Sequence, residues 1–259
     1  MIVAKLLHSS LTRVQSPLAA SPREAVTVQA LGLSFTNLLG LAAGLDRTGN
    51  RLRELAATGA GHVEIGTLEA PFSEAASALA AHEIGVRVGA NIGSRRNGIN
   101  SQVIDDYVSG FRYASGFADY IVANLTSPHR DRVGDSPGID RLLLRLKHVQ
   151  ETQTESSRIP LLIKIGAGTN ATGLPRALHI ARDLCFDGVV LVCDQLNCIE
   201  AAANLLEGAA LISVGGIDSR EAALRRLAVA DLIQIHSAFV RCGPAIVKSL
   251  LSADELSAS

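Results

Sequence analysis

The 259 residues are 47% hydrophobic and carry 24 lysines and arginines against 25 acids, a formal net charge of -1. That composition suits one large buried core; it excludes a collagenous, coiled or disordered chain and a surface whose overall field attracts nucleic acid. The expected partner is a small molecule. The cysteines, Cys185, Cys193, Cys198 and Cys242, form no CxxC pair and have no histidine at zinc spacing, so reduced thiols in a cytoplasmic setting and no metal are expected.

In chain order, residues 1–27 read as an N-terminal extension. Its opening, MIVAKLLHSSLTRVQSPL, lacks the long apolar centre of a signal peptide and suits a short docking or interfacial helix. No apolar run approaches the roughly 20 residues that cross a bilayer, so no integral membrane segment is expected. Residues 28–252 read as one domain and 253–259 as a tail.

Within that domain, eight short β-rich apolar runs recur, each closed by glycine or a polar cluster: LLGLAAG, HVEIGT, VRVGANIG, YIVANLT, LLIKIGAG, GVVLVCD, ALISVGG and LIQIHSA. Continuous apolar runs, as opposed to alternating ones, suit parallel strands covered on both faces. Between them lie helical patterns at residues 50–58, at the alanine-rich 73–82, at 139–150 with Leu142, Leu143 and Leu146 on one face, and at 175–184 with Leu178, Ala181 and Leu184. Asp218 with Glu221 reads as a capping box before AALRRLA. The predicted fold is α/β, a single-domain (β/α)8 TIM barrel. No GxGxxG follows a strand, which weakens a Rossmann alternative.

In such a barrel, chemistry sits where strands end. Ala42, Ala43 and Gly44 are small enough for a flat ring to approach the first strand, or simply for tight strand packing. Gly66 and Thr67, Asn91 and Asn124 end the next three strands, and predict polar groups converging on one mouth. Lys164 stands between Ile163 and Ile165, where an ammonium needs a negative neighbour. Three readings stand for it: contact with an anionic ligand, a Schiff-base nucleophile, or an ion pair with Glu64 or Asp194. Gly215, Gly216 and Ser237, at the last two strand ends, predict a phosphate site. Ser127 and His129 follow Asn124 in NLTSPHRDR, as a base with its relay or as ordinary Ser-Pro turn chemistry.

Together, the strings LGLSFTNLLGLAAGLDRTG, GAGHVEIGT, ADYIVANLTSP, LIKI, SVGGID and LIQIHSAFVRCGP resemble the dihydroorotate dehydrogenase family, and its serine-base, membrane-associated class in particular, from about residue 28 to 250. The resemblance implies flavin mononucleotide (FMN) on the barrel mouth and hydride transfer from substrate to flavin. It assigns Ala42, Ala43, Gly44, Thr67, Asn91, Asn124 and Lys164 to the flavin, Gly215, Gly216 and Ser237 to its phosphate, and Ser127, Lys164 and Asn124 to catalysis. Arg47, Asn124, His129 and Asp194 would face substrate. Arg47, His129, Asp194 and His236 stand where the family has lysine, asparagine, asparagine and tyrosine. The family's long insertion between the second and third strands is replaced here by an alanine-rich stretch, and its segment between the sixth and seventh is reduced to residues 197–208.

The implied function is an FMN-dependent oxidoreductase acting on a small metabolite other than dihydroorotate, with Ser127 as base. Its electron acceptor is open, a quinone being the family's choice. An authentic dihydroorotate dehydrogenase of pyrimidine biosynthesis, a non-catalytic ligand- or partner-binding barrel, and a Schiff-base lyase using Lys164 stand as alternatives. A homodimer is compatible with the sequence, though no apolar stripe encodes one.

Overall fold

A computed structural model describes residues 28–72, 84–126, 133–167 and 173–252. It begins with an antiparallel hairpin, β1 (Val28–Ala30) and β2 (Leu33–Phe35). Eight parallel strands follow: β3 (Leu39–Leu41), β4 (His62–Leu68), β5 (Arg87–Ile92), β6 (Tyr120–Asn124), β7 (Leu161–Gly166), β8 (Gly188–Val192), β9 (Ala210–Val214) and β10 (Leu232–Ile235). They close into a barrel in sequence order, with β10 pairing back onto β3. All eight apolar runs therefore become the staves of one (β/α)8 barrel.

The helices are α1 (Leu52–Ala56), α2 (Ser101–Ala114), α3 (Ile139–Glu151), α4 (Arg176–Asp183), α5 (Leu196–Leu205), α6 (Arg220–Leu227), α7 (Ser237–Cys242) and α8 (Ala245–Leu251). Leu142, Leu143 and Leu146 of α3 and Leu178 and Ala181 of α4 are buried, as their spacing predicts. Helix α2 was not expected from the sequence. Its start is set by Asn100, whose side chain accepts from Val103 N, and its buried face by Val103, Tyr107 and Phe111. The capping box expected at Asp218 falls one residue early: Ser219 takes the extended N-cap conformation, and its hydroxyl accepts from Ala222 N at 3.2 Å. Asp218 turns instead toward Arg241, 3.7 Å away. The alanine-rich stretch 73–82, the extension 1–27 and the tail 253–259 lie outside the described residues.

Alternation along the strands separates two apolar layers. Outward side chains such as Val63, Ile65, Ile163 and Ile233 join the helices, while Leu38, Tyr120, Val122, Leu162, Val190, Ile212 and Leu232 fill the barrel. Phe35 from the hairpin belongs to this inner group. Its ring meets His62 edge-on with centroids 5.5 Å apart, and His62 meets Tyr120 at 6.4 Å. Two inward glycines make room for these rings: a Cβ on Gly40 would lie 2.0 Å from His62 Nε2, and one on Gly89 2.4 Å from the Tyr120 ring. Burial alone pushes the His62 imidazole down to about 3, so it is a neutral, space-filling ring at ordinary pH.

Candidate functional site at the carboxyl mouth of the barrel

Above that packed floor lies a polar layer centred on Glu64, which is fully buried. Its carboxylate accepts from Asn91 Nδ2 and Gln234 Nε2, each at 2.6 Å, and from the Tyr120 hydroxyl at 3.4 Å. Lys164 Nζ stands 3.8 Å from the same carboxylate. This is ionic contact beyond hydrogen-bonding distance, and no described residue accepts a hydrogen bond from the ammonium. The charge of Lys164 is thus compensated while its N–H donors remain uncommitted.

Asp194, the other acid considered for Lys164, lies exposed beyond β8, outside the barrel interior. Asn91 also departs from expectation. It pairs in register with Val122, two positions below the Asn124–Lys164 pair, and is fully buried, so it belongs to the Glu64 layer and not to the rim. Gln234 escaped the sequence reading altogether. The available signal was an amide at an inward position of the otherwise apolar string LIQI.

The rim itself is built from neighbouring strand ends. Asn124 Nδ2 donates to Thr67 Oγ1 at 2.7 Å, its Oδ1 accepts from Thr126, and its main-chain oxygen accepts from the Tyr107 hydroxyl at 2.5 Å. Asn124 and Thr67 are therefore brought together and held in one orientation. After β3, Gly44 N donates to Gly66 O and Gly66 N to Asp46 O, tying the first two strand ends to each other. The Asp46 carboxylate, 3% exposed, accepts from the main chain of Thr48, Gly49 and Arg51, which makes it the organiser of this loop. Arg47 is exposed beside it.

Gly44 takes a positive φ of 103°, and a Cβ there would come within 3.1 Å of His236 Nε2. His236 is half-buried; burial first and the nearby Lys164 charge second push its pKa below the ordinary histidine value, favouring the neutral ring. On the opposite side, Gly166 is exposed and a Cβ there would meet nothing within 4 Å.

Gly215 and Gly216 follow β9 with φ of 111° and 64°. A Cβ on the first would approach Cys193 O at 3.2 Å, and on the second Asp194 Cβ and Arg226 Nη2 at 3.3 Å, so glycine is required for this close approach. Ser237 begins α7 next door and is exposed. Ser127 and His129 lie outside the described residues.

These residues fit the flavin implied by the resemblance. Gly44 and Gly166 are exposed glycines at strand ends of the mouth, with the Lys164 cation and the fixed Asn124 amide at the strand ends between them, whereas Ala42 is buried in the inner core. Among the described residues no helix is long and apolar enough to cross a membrane.

No protein-family model matches the chain. A dihydroorotate dehydrogenase (quinone) of Xanthomonas axonopodis pv. citri is 27% identical over 288 aligned residues, covering 86% of this chain and 82% of its own length. One of Thermus thermophilus is also 27% identical, over 86% of this chain and 81% of its own. An alignment of 288 positions is longer than the 259-residue chain, so the relative carries segments that are missing here. A crystal structure of DHODH in complex with ferulenol, from Eimeria tenella, superposes with a TM-score of 0.75 over 97% of this chain and 90% of its own at 18% identity, a likeness of fold. By these relatives, this barrel and the motifs at its strand ends, the chain resembles the dihydroorotate dehydrogenases and is a divergent relative of them.

Proposed function

We propose that the protein is an FMN-dependent oxidoreductase whose substrate is a small dihydro-metabolite other than dihydroorotate. The observation that carries the reading is Lys164: a buried ammonium at the floor of the mouth, charge-compensated by Glu64 yet with uncommitted donors. Bound FMN would supply a two-electron acceptor for hydride. Lys164 would hold the electron-rich edge of the ring, Asn124 and Thr67 would fix its orientation, and Gly215, Gly216 and Ser237 would take the phosphate. Ser127 would receive the substrate proton. A quinone acceptor follows the names of the curated relatives.

The change of substrate is supported by Arg47, His129, Asp194 and His236, which replace the family's polar contacts, and by the missing segments. A buried site that loses its paired polar partners loses orders of magnitude in recognition. Authentic dihydroorotate oxidation is the second reading, favoured by the names of the relatives. The Glu64 contact speaks against a Schiff-base lyase, since Lys164 meets a carboxylate in place of the apolar surroundings that such a nucleophile relies on.

The purified protein should show flavin-type visible absorbance, or take up added FMN, and its bound flavin should be bleached anaerobically by a dihydro-substrate. A colourless protein that refuses FMN in titration defeats the proposal. Bleaching by dihydroorotate in preference to other dihydro-amides establishes the second reading. Replacement of Lys164 by methionine should weaken FMN binding more than tenfold; unchanged affinity removes Lys164 from the site.

A further inference from the structure

Arg226 is a buried cation with no salt bridge among the described residues, the Asp194 charge acting on it only from beyond ion-pair distance. It lies on the inner face of α6 with Ala222 and Ala223 and is 6% exposed. Its Nη2 donates to the main-chain oxygen of Asp194 at 2.5 Å, whereas its Nη1 is sealed from solvent with no hydrogen-bond partner among the described residues. No described carboxylate comes within salt-bridge distance of it. The other buried cations are better compensated. Lys164 has Glu64, and Lys147 donates to Cys185 O and lies over the Phe186 ring.

Desolvating a guanidinium without a directly paired anion costs several kcal/mol, so its retention asks for a closer compensating charge. The location supplies one. Nη2 lies 3.3 Å from the place where Gly216 lacks a Cβ, so the guanidinium sits against the Gly215–Gly216 turn, at the strand ends of β8 and β9. Both glycines have positive φ, a conformation that lets main chain approach a ligand closely. We infer that Arg226 is the counter-cation for a phosphate monoester seated on this turn, acting from beneath the glycines together with their backbone.

Neither the motifs nor the resemblance assigns Arg226 a role. The available signal was an arginine on the apolar side of AALRRLA, in line with Ala222 and Ala223. The identity of the ester rests on the FMN reading; the anion site itself rests on the unpaired guanidinium.

Apoprotein of the full chain, titrated with FMN and with riboflavin, separates the two. Wild type should bind FMN much more tightly than riboflavin. R226M should lower FMN affinity about tenfold, the order of one charge-assisted contact, and leave riboflavin within about twofold, while R226K keeps most of the FMN affinity. In a parallel arm, millimolar inorganic phosphate should raise the Tm of wild type above that in chloride of equal ionic strength, with the increment lost in R226M. Equal weakening of both flavins would show that Arg226 only packs, and unchanged FMN affinity in R226M would place the phosphate elsewhere; either overturns the inference. If wild type takes up neither flavin, the FMN reading fails and the phosphate arm decides: a wild-type increment that R226M loses upholds the anion site, and no increment overturns it. If R226M does not fold, R226K and R226Q replace it, and equal phosphate response in both overturns the role of the charge.

Discussion

In the lower part of the barrel, the Phe35, His62 and Tyr120 rings meet over Gly40 and Gly89, while above them Asn91, Gln234 and Lys164 converge from different strands on the Glu64 carboxylate. The two layers meet on β4, which supplies His62 and Glu64 two residues apart. The lower layer contains a histidine whose nitrogens have no hydrogen-bond partner among the described residues, so His62 contributes by packing alone. The upper layer gains by pairing: a buried carboxylate collects amide donors and one ammonium. Its remaining acceptors, Asn91 Oδ1 and Gln234 Oε1, are sealed without partners among the described residues. A filled floor thus supports a polar layer whose groups are positioned but not exhausted, which is what a binding site needs.

The contrast can be broken most forcefully at Glu64. The substitution Glu64→Ala leaves an ammonium buried without its counter-charge and two amides without their acceptor, and should cost about 3–5 kcal/mol in urea unfolding. A loss below 1 kcal/mol would show that the upper layer is hydrated, not paired. Next in size, Gly40→Ala drives a methyl group into the His62 ring and should destabilise by about 3 kcal/mol, with no rescue by FMN. Restored stability in the double variant with a smaller residue at position 62 would identify the ring as the cause.

The floor also makes a pH prediction. His62 is held at about 3 in the folded state against an ordinary value of 6.5, so the unfolded chain binds the proton first as pH falls. Stability from this group is complete above pH 6.5 and declines toward pH 3, with a loss of about 2 kcal/mol between pH 7 and pH 5. His62→Leu should flatten that part of the profile; an unchanged slope would place the titration elsewhere. The smallest expected effect lies outside both layers, where Ser219→Ala should cost about 1 kcal/mol by removing the α6 cap, while Asp218→Ala should cost less. The reverse order would restore the Asp218 capping box.

Much of this architecture was legible in the chain. Eight apolar runs bounded by glycine became eight barrel strands, because parallel strands buried on both faces need continuous apolar sequence. The rim partners Thr67 and Asn124 were legible too, one next to the end of its strand and one at it. The α6 cap was misplaced by one residue because Asp218 and Ser219 are both good cap formers, and only the local backbone conformation selects between them.

Sequence alone determined the barrel, its order and the small and polar residue types at its strand ends, since these follow from local periodicity and turn chemistry. Tertiary structure decided depth and partnership: that Asn91 lies beneath the rim, that Lys164 meets Glu64 and not Asp194, and that Arg226 reaches the Gly215–Gly216 turn from a helix. The reason is physical. Closing the sheet sets which side chains from distant strands share a layer, and burial then makes each charge depend on a neighbour that no local stretch of sequence specifies.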